Sequence, residues 1–231
     1  MQPADKTPGM LYAVGDIHGM LDELARLLAR LPLEPSDRLI FIGDYIDRGP
    51  DPKGVVDHLI ELAKQRECIF LMGNHEAMFL SFLGWQGPNY FGKEAFLHNG
   101  GETTLASYGY FEADGDFKLP PEHERFFQDL RLWHLEGEYA FVHAGMSKSA
   151  LGLSDAKYAL SRERVKDLLW QRETADLPHS LGVTVVYGHT PLPDFGVRWN
   201  VPYSIGIDTG AVYGGPLSAI RLPDETIFQS S

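Results

Sequence analysis

Six short apolar runs in this 231-residue chain stop abruptly at glycine or a polar side chain, and that repeated ending constrains the fold more than any other feature. They are residues 11–14 before Gly15-Asp16, 39–42 before Gly43-Asp44, 69–72 before Gly73-Asn74, 139–142 before His143, 183–187 before Gly188-His189, and 204–207 before Asp208. Runs of this length, rich in Val, Ile and aromatic residues, predict buried strands. Each strand then delivers a polar cluster at its C-terminal end. Between the first three, Leu21, Leu24, Leu27, Leu28 and Leu31, then Val55, Val56, Leu59, Ile60 and Ala63, recur at helical spacing. Alternating strand and helix predicts an α/β protein whose first 80 or so residues form a mostly parallel sheet, with functional loops at the carboxyl ends of the strands.

Charge narrows the possible partners. The chain has 20 Lys and Arg against 32 Asp and Glu, a formal charge of −12. Nucleic-acid backbones and anionic lipids are held through Lys and Arg, so no broad nucleic-acid or membrane surface is expected. A small phosphate site made locally positive by metal ions stays open. A hydrophobic fraction of 44% predicts one folded domain spanning the chain, 1–231. The single Cys68 can form no intrachain disulfide, and the polar residues 1–9 and short apolar run 10–14 make neither a signal core nor a membrane span; together they predict a cytoplasmic protein. Cys68 also lacks the arginine six positions on that a cysteine-based phosphatase needs, since residue 74 is Asn, and is expected as a small core residue in a strand.

Residues 84–119 break the pattern, being rich in Gly and aromatics with one short helix expected over 103–108. The segment reads as a lid or substrate wall, with an ordered surface excursion as the plainer alternative. Within it, Gly87-Pro-Asn-Tyr-Phe-Gly92-Lys93 mimics a nucleotide-binding loop, but Glu94 stands where Ser or Thr should hold magnesium and no apolar strand precedes it. Further helices are expected over 122–130 and 161–171.

The clusters Gly15-Asp-Ile-His-Gly19, Gly43-Asp-Tyr-Ile-Asp-Arg-Gly49, Gly73-Asn-His-Glu76, His143-Ala-Gly145 and Gly188-His-Thr190 each offer a metal-ligating side chain where a strand should end. Alone, any of these residues is an ordinary turn or cap residue. Five such clusters in one chain point to a metal site, with the neighbouring glycines supplying the positive φ angles of tight turns. The donors Asp16, His18, Asp44, Asn74, His143 and His189 provide carboxylate, imidazole and amide oxygen without thiolate, which favours Mn, Fe or Zn. Six are too many for one catalytic zinc, so the count predicts two divalent ions, manganese foremost, with Asp44 as the shared carboxylate.

In this order and spacing, the motifs GDxHG, GDxxDRG, GNHE, HAG and GH resemble the phosphoprotein phosphatase family of serine/threonine phosphatases, within the calcineurin-like metallophosphoesterases. His98-Asn-Gly-Gly101 with Thr104-Leu-Ala-Ser-Tyr-Gly109, and residues 207–215, resemble its small bacterial and phage members. The resemblance implies a β-sandwich of two mixed sheets flanked by helices. It also implies Asp16, His18 and Asp44 around one ion and Asp44, Asn74, His143 and His189 around the other. His75 would be the acid that protonates the leaving group, oriented by Asp47; Arg48 would hold phosphate, joined by Arg172 or, as second choice, Arg162. The activity implied first is hydrolysis of phosphoserine, phosphothreonine or phosphotyrosine in a protein or peptide. Diadenosine tetraphosphate hydrolysis or broad phosphomonoesterase activity is the enzymatic rival, and an inactive phosphate-binding scaffold the alternative of another class.

Overall fold

A computed structural model describes residues 9–85, 93–112, 117–174 and 176–231. Nearly all of the nucleotide-loop mimic, and parts of the proposed lid, lie outside these residues. Three strands, β1 (Leu11–Val14), β2 (Arg38–Phe41) and β3 (Cys68–Phe70), run parallel, joined through α1 (Leu21–Arg30) and α2 (Pro52–Ala63). Pro at the first position of α2 and the Asp51 carboxylate accepting from Gly54 N–H at 2.8 Å start that helix. After β3 come α3 (Asn74–Phe82), α4 (Lys93–His98), α5 (Gly101–Ser107) and α6 (Pro121–Gln128).

The second half contributes β4 (Trp133–Glu136), β5 (Tyr139–Val142), α7 (Lys148–Leu151), α8 (Ala156–Arg162), α9 (Val165–Trp170), β6 (Thr184–Tyr187), β7 (Arg198–Asn200) and β8 (Ser204–Gly206). The chain ends in a hairpin, β9 (Ser218–Leu222) and β10 (Thr226–Gln229), which returns to the first sheet with β9 antiparallel to β1. The two mixed sheets have the orders β10-β9-β1-β2-β3 and β4-β5-β6-β8-β7. All six expected strands are present within about two residues, as is the parallel unit; β4, β7, β9 and β10 are additional.

Alternation along β1 shows how the layers form. Leu11 and Ala13 join Ile40, Ile69, Phe141, Val186, Ile205 and Ile220 in an apolar layer contributed by both sheets, whereas Tyr12 and Val14 pack with Leu24, Leu27, Val55 and Leu59 of the covering helices. A third cluster joins Ala140, Val142, Val185 and Tyr187 to α7, α8 and α9. The molecule is thus a sandwich of two sheets with helices outside each.

Two local expectations are corrected. The helix expected over 161–171 is divided between α8 and α9: Glu163 is extended (φ −65°, ψ 143°), and its carboxylate accepts from Ser147 N–H at 2.8 Å and Ser147 Oγ at 2.6 Å. A continuous helix would lose those bonds. Cys68 opens an edge strand and is only half-buried, with burial pushing its thiol up to about 11. No helix among the described residues is long and apolar enough to cross a membrane.

Candidate metal centre

The loops after β1, β2, β3, β5, β6 and β8, the strands that run parallel within the two sheets, converge at one end of the sandwich. The β1 loop brings Asp16 and His18; the β2 loop brings Asp44, Asp47 and Arg48; α3 opens with Asn74, His75 and Glu76. His143, His189 and Asp208 follow β5, β6 and β8. Apart from Arg48, all of these side chains are buried.

Their backbone is unusual. His18, Asp44, Asp47, Arg48 and His189 have φ of 47°, 53°, 72°, 68° and 67°, a region that L residues enter at a cost of about 1–3 kcal/mol each. The left-handed turns therefore fall largely on the polar residues themselves as well as on neighbouring glycines. Surrounding bonds hold them: Ile17 and His18 N–H both donate to the Asp44 carbonyl at 3.0 and 2.8 Å, and Arg48 N–H donates to the Gly100 carbonyl at 3.1 Å. Glycine is required where the loops touch. Gly43 (φ 106°) lies against Gly73 and the His143 ring, and a side-chain carbon at Gly188 would collide with the Asp16 carboxylate.

Asp44 sits between two groups of donors. Its Oδ2 lies 3.4 Å from His18 Nε2 and its Oδ1 3.5 Å from His143 Nε2. The nearest donor atoms of His18, Asp44 and His75 lie within 4.8 Å of one another, as do those of Asp44, His143 and His189. Asn74 Oδ1 is 2.9 Å from both His143 Nε2 and His189 Nδ1. Asp16 belongs to neither triad; both its oxygens accept from His189 N–H, at 3.2 and 3.0 Å.

Protonation can be assigned from these contacts. His18 Nδ1 donates to the Ile46 carbonyl and His143 Nδ1 to the Ile42 carbonyl, each at 2.9 Å, so in the neutral rings Nε2 carries the lone pair. Burial keeps these rings neutral: the pKa of His18 falls to about 3, helped by His75, that of His189 to about 2, helped by His143, and that of His143 also falls. Burial alone would raise Asp44, yet the surrounding histidines hold the carboxyl below its usual range, His75 being the one among them whose own pKa is raised. Burial, then Asp208 and Asp44, push Asp16 up, and burial lifts Asp208 to about 6.

These donors fit divalent cations. The lone pair of His143 Nε2 faces Asn74 Oδ1, two acceptors that a cation reconciles, and His189 Nε2 is a buried nitrogen without a hydrogen-bond partner among the described residues. Arg48 Nη1 donates to His18 Nε2 at 2.8 Å, a bond that a cation at His18 would replace. The buried carboxylates Asp16, Asp44 and Asp208 repel one another without such a charge.

Above the donors lies a cavity of about 260 Å³ whose walls include Arg48, Asn99, Trp170, Arg172 and Tyr213, with His75 and Asp208 at its floor. Arg48 Cζ is 5.7 Å from the centroid of the Tyr213 ring. His75 Nδ1 is 2.5 Å from Asp47 Oδ2, while His75 Nε2 is buried without a partner among the described residues. Burial would depress His75, but Asp44 and Asp47 override it and raise its pKa; burial likewise raises Asp47. Arg172 borders the cavity, whereas Arg162 is exposed at the end of α8 and does not line it.

The sequence profile of calcineurin-like phosphoesterases matches residues 10–214. The chain belongs to the calcineurin-like phosphoesterase family. It is therefore a metallophosphoesterase, an enzyme of a family that hydrolyses phosphoesters with divalent metal ions. The chain is 29% identical to bis(5'-nucleosyl)-tetraphosphatase PrpE [asymmetrical] of Anoxybacillus flavithermus, over 94% of this chain and 93% of that one. A solved structure of a candidate diadenosine tetraphosphatase superposes with a TM-score of 0.63 at 24% identity, covering 97% and 94% of the two chains. A serine/threonine phosphatase of Saccharomyces cerevisiae shares the fold with a TM-score of 0.62 at 16% identity, covering 94% and 74%.

Several residues around the site have roles that the sequence does not announce, among them Asp208, Asn99 and Glu76. Asp208 stands out in the sequence only as the end of an apolar run and a member of the 207–215 stretch, and Asn99 only as part of His98-Asn-Gly-Gly101, with no role attached to either. In the sequence Glu76 is a member of the GNHE motif that, with Asp47-Arg48, favours a protein phosphatase; in the structure its carboxylate accepts from Gly73, Asp44, Tyr45 and Ile46 N–H at 2.9, 2.9, 2.8 and 3.3 Å. One side chain thereby ties the β2 and β3 loops together. The only signal was its place three residues after Gly73, the position from which an acid caps a helix start.

Proposed function

We propose that this metallophosphoesterase cleaves dinucleoside tetraphosphates asymmetrically. The observation that carries this reading is the composition of one cavity: Arg48 and Arg172 suit a polyphosphate chain, and Tyr213 and Trp170 add aromatic walls suited to a nucleobase. The full-length likeness to a protein named bis(5'-nucleosyl)-tetraphosphatase supports it. In this reading Asp16, His18 and Asp44 hold one divalent ion and Asp44, Asn74, His143 and His189 a second, with manganese the first candidate. Bound there, the ions supply Lewis acidity toward phosphoryl oxygen and make water more acidic.

The chain's own residues do the rest. The forked guanidinium groups of Arg48 and Arg172 neutralise and orient the phosphoryl oxygens. A water that has given one proton to solvent bonds through its oxygen to phosphorus, the bond to the departing nucleotide breaks, and that nucleotide's oxygen takes the proton at His75 Nε2. Asp47 holds the ring through Nδ1 and favours its charged form. The lone Cys68 is in keeping with a reducing, cytoplasmic setting, and from the expected lid or substrate wall Asn99 would line the site.

A second reading, hydrolysis of phosphoserine or phosphothreonine in protein segments, is favoured by the Asp47-His75 pair itself. A phosphate leaving group is a weak base and needs little protonation, whereas a serine alkoxide needs a strong acid partner. Side-by-side kcat/KM values on diadenosine tetraphosphate, a phosphoserine peptide and a phosphotyrosine peptide separate the readings. The dinucleotide is expected to lead by at least about tenfold, or about 1.4 kcal/mol of transition-state preference, and to yield nucleoside mono- and triphosphate. A lead for either peptide would reverse the order.

A further inference from the structure

Asp47 is held from two sides. On one, Oδ2 meets His75 Nδ1 at 2.5 Å. On the other, Asp47 N–H donates to Thr104 Oγ1 at 2.9 Å, and the same hydroxyl donates its hydrogen to Asp47 Oδ1 at 2.5 Å. Thr104 is fully buried on α5. A single hydroxyl therefore satisfies both the backbone and the side chain of a residue whose own φ is 72°.

We infer that Thr104 is the positioning residue for the Asp47-His75 pair. The inference rests on the reading of His75 as the acid that protonates the leaving oxygen. A carboxylate bonded only to His75 could rotate about its last side-chain bond and carry the imidazole with it. With Oδ1 fixed by Thr104, Oδ2 faces Nδ1 and the ring keeps Nε2 toward the cavity. The energetic reason is burial: Asp47 and Thr104 are both fully buried, so without the hydroxyl Asp47 N–H and Oδ1 would each lose a partner away from bulk solvent.

The rest of α5 is built to keep that hydroxyl in place. Just before it, Gly100 accepts from Arg48 N–H at 3.1 Å; just after it, Ser107 Oγ accepts from Lys53 N–H at 3.1 Å, and Tyr108 Oη lies 2.7 Å from His123 Nδ1 on α6. The segment carrying His98-Asn-Gly-Gly101 and Thr104 thus grips both Asp47 and Arg48 from behind, an assignment its position in the sequence did not suggest.

Leaving-group dependence tests this, because a misplaced acid harms turnover of an alkyl phosphate far more than that of an aryl phosphate such as p-nitrophenyl phosphate, whose leaving group needs little protonation. Thr104→Val keeps the shape and removes the hydroxyl. It is expected to lower the alkyl-to-aryl ratio of kcat by at least about tenfold, with KM for either substrate changed by less than about threefold; Thr104→Ser, which retains the hydroxyl, should restore the ratio to within about threefold of wild type. Should the valine variant fold poorly, Thr104→Ala carries the same comparison without adding an apolar contact. Equal losses on both substrates, or an unchanged ratio in the folded hydroxyl-free variant, would overturn the positioning role. His75→Asn separates the two ideas: if it leaves the ratio unchanged, the acid assignment fails, whereas a lowered ratio there with an unchanged one at Thr104 removes only Thr104.

Discussion

Glu76 carries more of the loop architecture than any proposed ligand. Its carboxylate accepts four backbone N–H groups from two loops, all of them buried. Burial and the Asp44 charge raise its pKa to about 8, and the bonds from Tyr45 and Gly73 act in the opposite direction. Glu76→Ala would leave those donors unpaired, each worth about 1–3 kcal/mol but not additive, so unfolding free energy is expected to fall by about 3 kcal/mol or more. Glu76→Gln should recover only part of this, since its amide turns an N–H group toward other donors. Urea unfolding of the metal-loaded protein measures both; a loss below about 1 kcal/mol in the alanine variant would show that water or a shifted backbone takes over the bonds. At this scale the identities of the polar residues were legible, because Asp, Asn and His at strand ends have few competing explanations when five clusters coincide. The bonds that hold them were not, since Glu76 reaches the β2 loop, and Thr104 reaches Asp47, across 30 to 57 positions.

Elements were legible in proportion to how locally they are determined. Five of the six recognised strands are buried along nearly their whole length, and even β3 at the sheet edge buries Ile69, so their apolar composition announces them. The four others do not share that signature: β4, β7 and β10 are only partly buried, and β9 gains its meaning from pairing with β1 about 200 positions earlier. Helix α6 shows how an element far from the chemistry can matter. His123 Nε2 lies 2.8 Å from Asp57 Oδ1 on α2, and its Nδ1 meets Tyr108 beyond α5, so one ring joins the elements that support Thr104. Burial lowers its pKa below the usual 6.5, more than Asp57 raises it. Below that value the unfolded chain takes up a proton that the folded ring resists, so this contribution to stability is present above about pH 6.5 and declines as pH falls toward the folded value. Asp57, held below the usual carboxylate range by Lys53 and His123 against its burial, titrates under this window. Between about pH 7.5 and 5.5, wild type should lose more unfolding free energy than His123→Gln. Parallel pH curves for the two proteins would remove His123 as a contributor.

Across the whole molecule, the candidate centre is where the two sheets are joined. Asp16, His18, Asp44 and Asn74 follow strands of the first sheet, whereas His143 and His189 follow strands of the second. No sequence window contains both halves; the apolar layer shared by Ile40, Phe141, Val186 and Ile220 brings them together, and bonds such as His143 Nδ1 to the Ile42 carbonyl and His189 N–H to Asp16 cross between them. The proposed second ion, held by Asp44 and Asn74 from one side and His143 and His189 from the other, would tie the sheets as well as serve chemistry. The chain's charge of −12 adds to this, since part of it is concentrated in buried carboxylates that repel one another without cations. Metal binding should therefore be visible as folding stability. With free ion at about 100 times its Kd, binding contributes about 2.7 kcal/mol, and for a domain of this size its removal by a chelator is expected to lower Tm by roughly 5 to 10 °C. Asp44→Asn should bring the metal content below two ions per chain and make Tm nearly insensitive to the chelator, because one carboxylate serves both groups of donors. Elemental analysis beside thermal unfolding decides the matter: if Tm is unchanged after proven metal removal, the ions do not hold the sheets together, and if Asp44→Asn still binds two, Asp44 is not their shared ligand.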